Sequence, residues 1–293
     1  MNPISPEMLI IKILTSQRAD EVLSRIHFKK QYTEMVKRLH PDVCDLPKAH
    51  EAVVKLNLFK AQLEKEVEDD AGVIVKVDAQ SYLFKGEKEI LEKSYQNYQA
   101  LLALKDDASK HFRKYLPTQM SWQGGGLLVQ TGEESALCYD LKLEEKHVAW
   151  AASRMLEFVS WLHQVGYVHG GLVPQSWAII PKTHGMVCLS FYHLTPLNGN
   201  LETLSGAYSD WYPSSVFAEK KATPNLDLSI IQKVAISLLG DPSGAGVKLK
   251  ATHDENLINF WIQSHQEAFT TYEKYRKLLQ DLYGKPKFYP LTL

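Results

Sequence analysis

The hydrophobic pattern is clearest in the middle of the chain. Val148, Ala151, Ala152, Met155, Leu156, Val159 and Leu162 recur at the spacing of one helix face. Gly166 follows, and glycine takes the left-handed closing position of a helix at little cost, so the helix is expected to stop there. Tyr167-Val168 predicts a short extended piece, and Ile179-Ile180 a strand beyond a loop. Nearer the start, Pro6 suits a first helical turn, and Met8, Leu9, Ile10, Ile11, Ile13 and Leu14 make a short apolar helix that Thr15-Ser16-Gln17 breaks. Asp20 or Ser16 can cap a second helix running to Leu39, with a stripe of Val22, Leu23, Ile26, Phe28, Tyr32, Met35, Val36 and Leu39. Lys29, Lys30, Lys37 and Arg38 lie largely off that stripe and give a basic face. His40-Pro41-Asp42 interrupts the helix, because proline disfavours helical geometry at the residue before it. Asp45-Leu46-Pro47 opens a third helix, about Lys48 to Val67, with Ala49, Val53, Leu56, Phe59 and Leu63 inward.

Further along, Glu66, Glu68, Asp69 and Asp70 read as a solvated acidic junction. Val73 to Val77 and Tyr82 to Lys85 predict two strands around a turn at Asp78-Ala79. A helix from Glu87 to about Leu104 carries Ile90, Leu91, Tyr95, Tyr98, Leu101 and Leu102. Trp122 leads to Gly124-Gly125-Gly126, read as a turn, and strands follow at 127–130 and 136–139. Asp227 precedes an apolar helix from Leu228 to Leu239, and Asp241 to Gly246 is a glycine-containing loop that follows a helix, the wrong order for a phosphate loop. A last helix, about Glu255 to Leu282, brings Phe260, Trp261, Phe269, Tyr272, Tyr275 and Tyr283 to a core.

Composition narrows the possibilities. Hydrophobic residues at 45% and charged residues at 23% are globular values, and a net charge of −1 makes no bulk case for nucleic acid or anionic lipid. The basic second helix alone, without a base-reading motif, does not restore one. Cys44, Cys138 and Cys188 are odd in number and far apart, so neither a metal site nor a disulfide framework follows, and a reducing cytoplasm fits. The apolar patch from Met8 to Leu14 is interrupted by Lys12 and is too short to span a membrane, and no basic region precedes it. A soluble cytoplasmic protein without membrane attachment, cofactor or metal is expected.

The central stretch also carries a motif. Leu162-His163, Gly166, Val168-His169, Leu172 and Pro174, set between a helix and an apolar strand, resemble the catalytic loop of protein kinases. That family has His-Arg-Asp, then Leu-Lys-Pro-Glu-Asn: the Asp accepts the substrate proton, the Lys meets phosphate and the Asn holds magnesium. Here His169 is kept, Gly170 and Gly171 stand for Arg and Asp, Val173 for the Lys and Ser176 for the Asn. Val187 to Tyr192 resembles the strand into Asp-Phe-Gly, with Ser190 for the metal-binding Asp and Tyr192 for the Gly. A hydroxyl is a poor substitute for a carboxylate that must hold a hard cation. Trp211-Tyr212-Pro213-Ser214 resembles the end of an activation segment, and Asp227 the structural aspartate that accepts backbone N–H groups from the catalytic loop. No Gly-x-Gly-x-x-Gly precedes the first strands. Lys76 and Lys85 are the candidates for the nucleotide lysine, with Glu89 or Glu92 as partner. The resemblance implies a reduced kinase-like domain that has lost its catalytic motifs.

The first 68 residues resemble a J domain: two helices joined by His40-Pro41-Asp42, a short helix before them, and Tyr32, Leu39, Ala49, Leu56, Asn57 and Leu63 at family positions. Val53, Phe59-Lys60 and Thr33-Glu34 depart from that pattern. The resemblance implies docking onto a DnaK-type chaperone through His40, Pro41 and Asp42, beside the basic Lys30, Lys37 and Arg38. The whole therefore reads as α+β: an all-α J-like hairpin at 1–68, a small β-rich kinase-like lobe at 69–142 and a mainly helical lobe at 143–293. The expected function is that of a non-catalytic co-chaperone or adaptor, whose body binds a client or scaffolds a complex. The alternative is a divergent phosphotransferase that has conscripted His169, His193, Asp140 or Asp210.

Overall fold

The computed structural model describes residues 4–23 and 28–293, and the chain is mixed α/β. It divides into two compact units, one made of residues up to Glu68 with Val73–Lys76, the other of Asp69–Gly72 with Val77–Leu293.

In the first unit, α1 (Pro6–Thr15) is capped by Ser5, whose Oγ accepts the Met8 N–H at 3.3 Å. α2 (Phe28–Leu39) and α3 (Ala49–Lys65) pack on each other, and α1 packs on α3. The second helix thus starts later than the stripe predicts. Ala19–Glu21 is a single 3-10 turn, and the Ser16 hydroxyl donates back to the Lys12 carbonyl at 2.8 Å, closing α1 instead of opening α2. Val22 and Leu23 are buried all the same, and Ile26 lies outside the described residues. The core joins Leu9, Ile13, Leu23, Leu39, Leu56 and Leu63. Ala52 is fully buried and Val53 only partly so, a shift of one position around α3.

α3 ends at Lys65, and β1 (Glu66–Asp69) follows with no residue between them. The acidic run expected to be a solvated junction is therefore a strand and a turn, and β2 (Gly72–Lys76) comes after it.

In the second unit, β3 (Ser81–Gly86) leads into α4 (Lys88–Leu102), and α5 (Asp107–Phe112) follows on an Asp106 cap. β4 (Gln119–Gln123) and β5 (Gly126–Gln130) form a hairpin, and β5 pairs with β3 on its other edge, all antiparallel. Gly124 and Gly125, at φ +57° and +79°, make the two-residue turn, where positive φ at both positions matches the twist of the strands. Trp122, read as leading into a loop, lies within β4, and neither β4 nor α5 is apparent from the pattern.

After β6 (Ala136–Leu137) the chain turns mainly helical. α6 (Glu145–Gln164) is the central element and packs on α8 (Pro224–Leu238) and α10 (Ala268–Tyr283). β7 (Tyr167–Val168) pairs with β10 (Thr195–Pro196), and β8 (Trp177–Ile180) lies between β6 and β9 (Gly185–Cys188). α7 (Ser214–Glu219) precedes α8. The expected single last helix is two, α9 (Glu255–Ile262) and α10, because the Glu267 carboxylate accepts the Phe269 and Thr270 N–H groups and starts a new helix. Phe260, Trp261 and Tyr275 stack in the core, Tyr272 and Tyr283 are half-buried, and Phe269, expected inside, is 60% exposed. Among the described residues no helix is long and apolar enough to cross a membrane.

Candidate functional site

The loop after α6 is organised by one buried carboxylate. Gly166, at φ +88°, releases the chain from α6 into β7, and the next residues fold over the first turn of α8. There the Asp227 carboxylate accepts the backbone N–H groups of His169 and Gly170, both at 2.8 Å, and lies 2.9 Å from His163 Nε2. The other side of the loop is closed by hydroxyls: Tyr212 donates to the Gly170 carbonyl at 2.8 Å and Ser176 to the Gly171 carbonyl at 2.6 Å. His169 is a structural peg. Its Nδ1 accepts the Gly171 N–H at 3.2 Å, so Nε2 carries the proton and donates to the Ser190 carbonyl at 2.8 Å. Burial drives its pKa down to about 4, so the imidazole stays neutral.

Gly171, which the sequence resemblance sets against the kinase base, has no room for a side chain. A Cβ there would lie 2.3 Å from Cδ2 of His193, well inside contact distance. His193 is held from both ring nitrogens, with Nε2 3.1 Å from Asp70 Oδ2 and Nδ1 2.8 Å from Thr203 Oγ1. Asp70 comes from the turn between β1 and β2. Burial acts to raise its pKa, yet hydrogen bonds from His193 and Ser205 bring it below the usual carboxylate range. The neighbouring Asp69 carboxylate accepts the Tyr192 hydroxyl, and burial pushes its pKa up. Burial, then the charge of Asp69, pushes the Tyr192 phenol well above its ordinary value.

Ser176 and Ser190 are buried and face each other, Ser190 Oγ donating to Ser176 Oγ at 3.3 Å. Phe191 between them and His193 is tied to α4: its N–H donates to Ser94 Oγ at 2.9 Å and its carbonyl accepts Asn97 Nδ2 at 2.8 Å. Its ring lies 5.7 Å from His169 and 6.2 Å from Tyr98.

His169, Gly171, Ser176, Ser190 and Asp227 are thus brought together. Of the candidate lysines, Lys85, in the same unit, is not part of that cluster. Lys85 is exposed on β3 and Lys76 is exposed on β2, while Glu89 is exposed and Glu92 pairs with Lys88 on its own helix at 3.3 Å. Asp140 and Asp210 are exposed, and of the residues offered for conscription only His169 and His193 line the loop. The residues that sequence reasoning missed are Asp69, Asp70, Tyr192, Thr203, Ser94 and Asn97. One signal was available: two adjacent glycines inside an otherwise apolar loop imply that something else fills the space.

In the first unit, His40-Pro41-Asp42 forms the turn between α2 and α3. The His40 carbonyl accepts the Val43 and Cys44 N–H groups at 2.9 Å, and His40 Nδ1 lies 3.3 Å from an Asp42 carboxylate oxygen. The side chains of His40 and Asp42 are 52% and 85% exposed. Packing of the helices does not need them: Leu39 is in the core, and Tyr32 donates to Asn57 Oδ1 at 2.7 Å with Lys60 5.0 Å over its ring. Lys30 and Lys37 are exposed, but Arg38 donates to the Ile4 carbonyl and is half-buried, so it clamps the start of α1.

No protein-family model and no curated protein matches the chain. A solved structure of vaccinia related kinase 3 is similar, with a TM-score of 0.49 and 15% identity over 74% of this chain and 85% of that one. So slight a likeness carries neither identity nor activity.

Proposed function

We propose that the chain is a non-catalytic co-chaperone or adaptor, in which the first unit is a J-like hairpin that docks a DnaK-type chaperone and the second a kinase-like body that binds a client. The observation that carries this reading is the exposed His40-Pro41-Asp42 turn. Three charge- and ring-bearing residues stand outside a helix pair whose core is complete without them. An exposed carboxylate on the turn that follows the helix bearing the exposed Lys37 suits a partner surface of mixed charge, where such groups govern orientation and rate of encounter. For the body, support comes from the Asp227 clasp on the loop after α6 combined with the His193 ring over Gly171: the frame of a kinase loop is held while the position of its base is filled.

The test is a steady-state ATPase assay with the DnaK-type chaperone of the native host. Asp42→Asn removes one charge with almost no change of shape. Stimulation by the wild type that falls to background in Asp42→Asn, with stability changed by no more than about 0.5 kcal/mol, is the expected outcome. Equal stimulation by both, or none by either, rejects the docking role.

A further inference from the structure

A hydroxyl, an imidazole and a carboxylate stand in line beside the loop, and all three belong to the second unit. Thr203 Oγ1 lies 2.8 Å from His193 Nδ1, and His193 Nε2 lies 3.1 Å from Asp70 Oδ2. The carboxylate fixes the direction of both hydrogen bonds. Burial acts to raise the pKa of Asp70, yet hydrogen bonds from His193 and Ser205 hold it below the usual range, so it is ionised and can only accept. Nε2 therefore carries the ring proton, and Nδ1 of the neutral imidazole accepts the Thr203 O–H. In this arrangement an imidazole, oriented by a carboxylate, can take the proton as the hydroxyl oxygen attacks.

An ordinary surface threonine has neither a fixed base nor a fixed backbone. His193 is buried, its ring meets Tyr192 edge-on at 4.9 Å, and its carbonyl accepts the Thr195 hydroxyl at 2.9 Å. Thr203 lies in a segment without helix or strand, but the segment is pinned on either side. The Leu201 N–H donates to the Lys220 carbonyl at 2.9 Å, and the Ser205 N–H to the Tyr212 hydroxyl oxygen at 3.0 Å. Glu202 is paired with Lys93 of α4. Thr203 itself is exposed, so a reagent can reach the hydroxyl while the base stays inside. The chain holds a comparison site. Thr252 Oγ1 lies 2.9 Å from His253 Nδ1, and among the described residues no carboxylate pairs with that ring. As for the donor, carboxylates at 70 and 202 oppose the negative oxygens of a phosphoryl group, whereas a carbonyl carries no charge.

We propose that Thr203 is a covalent acyl-acceptor site for thioesters and activated esters, with His193 as its base and Asp70 as the residue that positions the ring. Oγ1 forms the bond to the acyl carbon while its proton passes to Nδ1. The bond from that carbon to the leaving sulfur or oxygen breaks, and the leaving group keeps the electron pair and takes the proton from Nδ1. The products are a Thr203 ester and a free thiol or alcohol, and nothing is oxidised. One acylation per chain is a modification rather than turnover, so it is compatible with a non-catalytic body and does not depend on chaperone docking.

The experiment treats the full chain with p-nitrophenyl acetate at neutral pH and locates acetyl groups by peptide mass spectrometry. An acetyl ester on Thr203 is expected, formed at least about ten-fold faster than on Thr252 and removed by hydroxylamine, which leaves lysine amides intact. Thr203→Ser should keep the labelling, and Thr203→Val, which keeps the shape without the hydroxyl, should abolish it. Asp70→Asn offers an amide that can donate to Nε2 and so turn the ring proton to Nδ1, which should slow acetylation at least about a hundred-fold. Ring nitrogen shifts of His193 read that tautomer directly, Nε2–H in wild type and Nδ1–H in the variant. Circular dichroism checks that each variant is folded. No ester on Thr203, an ester formed no faster than on Thr252, or a folded Asp70→Asn that is acetylated at the wild-type rate overturns the proposal.

Discussion

The turn at residues 40–42 and the loop at 169–176 both carry residues of a recognisable motif, and they differ in where those residues point. In the first, His40 and Asp42 face solvent, and the helices beside them pack through Leu39, Leu56 and Leu63. In the second, the loop is buried and its polar groups are hydrogen-bonded: His169 to the Ser190 carbonyl, Ser176 to the Gly171 carbonyl, and the backbone of His169 and Gly170 to Asp227. A polar residue that contributes nothing to its own fold is available to a partner. One that is buried and fully paired holds structure, whatever its motif once did elsewhere. The contrast therefore separates an exposed polar turn from a buried, hydrogen-bonded loop.

Substitutions can break or sharpen that contrast. The largest effect should come from Asp227→Ala, which leaves the His169 and Gly170 N–H groups and His163 without their acceptor. A loss of about 3–5 kcal/mol is expected in a denaturant titration, as for other buried charged partners removed singly. A loss below about 1 kcal/mol would mean the carboxylate does not organise the loop.

Acid should come next. The folded-state pKa of His169 is about 4 and its unfolded value about 6.5, so the unfolded chain takes up the proton first. The stabilisation is complete above pH 6.5 and is lost as the pH falls through 6.5 towards 4, with a total of roughly 3 kcal/mol. Ring carbon shifts of His169 followed by NMR should titrate near 4, and a midpoint at or above 6.5 refutes the buried neutral peg.

Gly171→Asp, which installs the aspartate of the kinase pattern, should destabilise by about 1–3 kcal/mol, because its Cβ meets the His193 ring. It should produce no ATP turnover. A variant as stable as wild type would show that the ring moves aside easily. The smallest effect expected is that of Tyr32→Phe, about 1 kcal/mol by thermal unfolding, from the lost hydrogen bond to Asn57. It should leave any chaperone stimulation intact.

How much of this was legible depended on whether the determining contacts are local. The stripe from Val148 to Leu162 and the stop at Gly166 are set by neighbours within a few residues, and α6 runs Glu145–Gln164. The glycine turn at 124–125 is equally local. By contrast, Glu66 to Asp70 looks solvated because carboxylates usually are. What buries Asp69 and Asp70 is Tyr192 and His193, 123 residues further along the chain. The start of α2 was misplaced because Val22 and Leu23 are buried without being helical, and period alone cannot tell the two apart. The break between α9 and α10 is set by Glu267, a capping residue with the composition of an ordinary exposed glutamate. At the site, the serines and glycines stand out in the sequence as departures from the kinase pattern it resembles. Nothing in the sequence announced that His193 fills the gap.

The His193 ring over Gly171 also bears on how this sequence can drift over generations. A larger residue at 171 is obstructed while His193 is present. Replacing His193 first strips Asp70 of a hydrogen-bonding neighbour inside the fold. Each single step is therefore costly, and only paired changes at 171 and 193, or at 193 and 70, leave the lineage on level ground. Among descendants of this chain, these three positions should be inherited as a block.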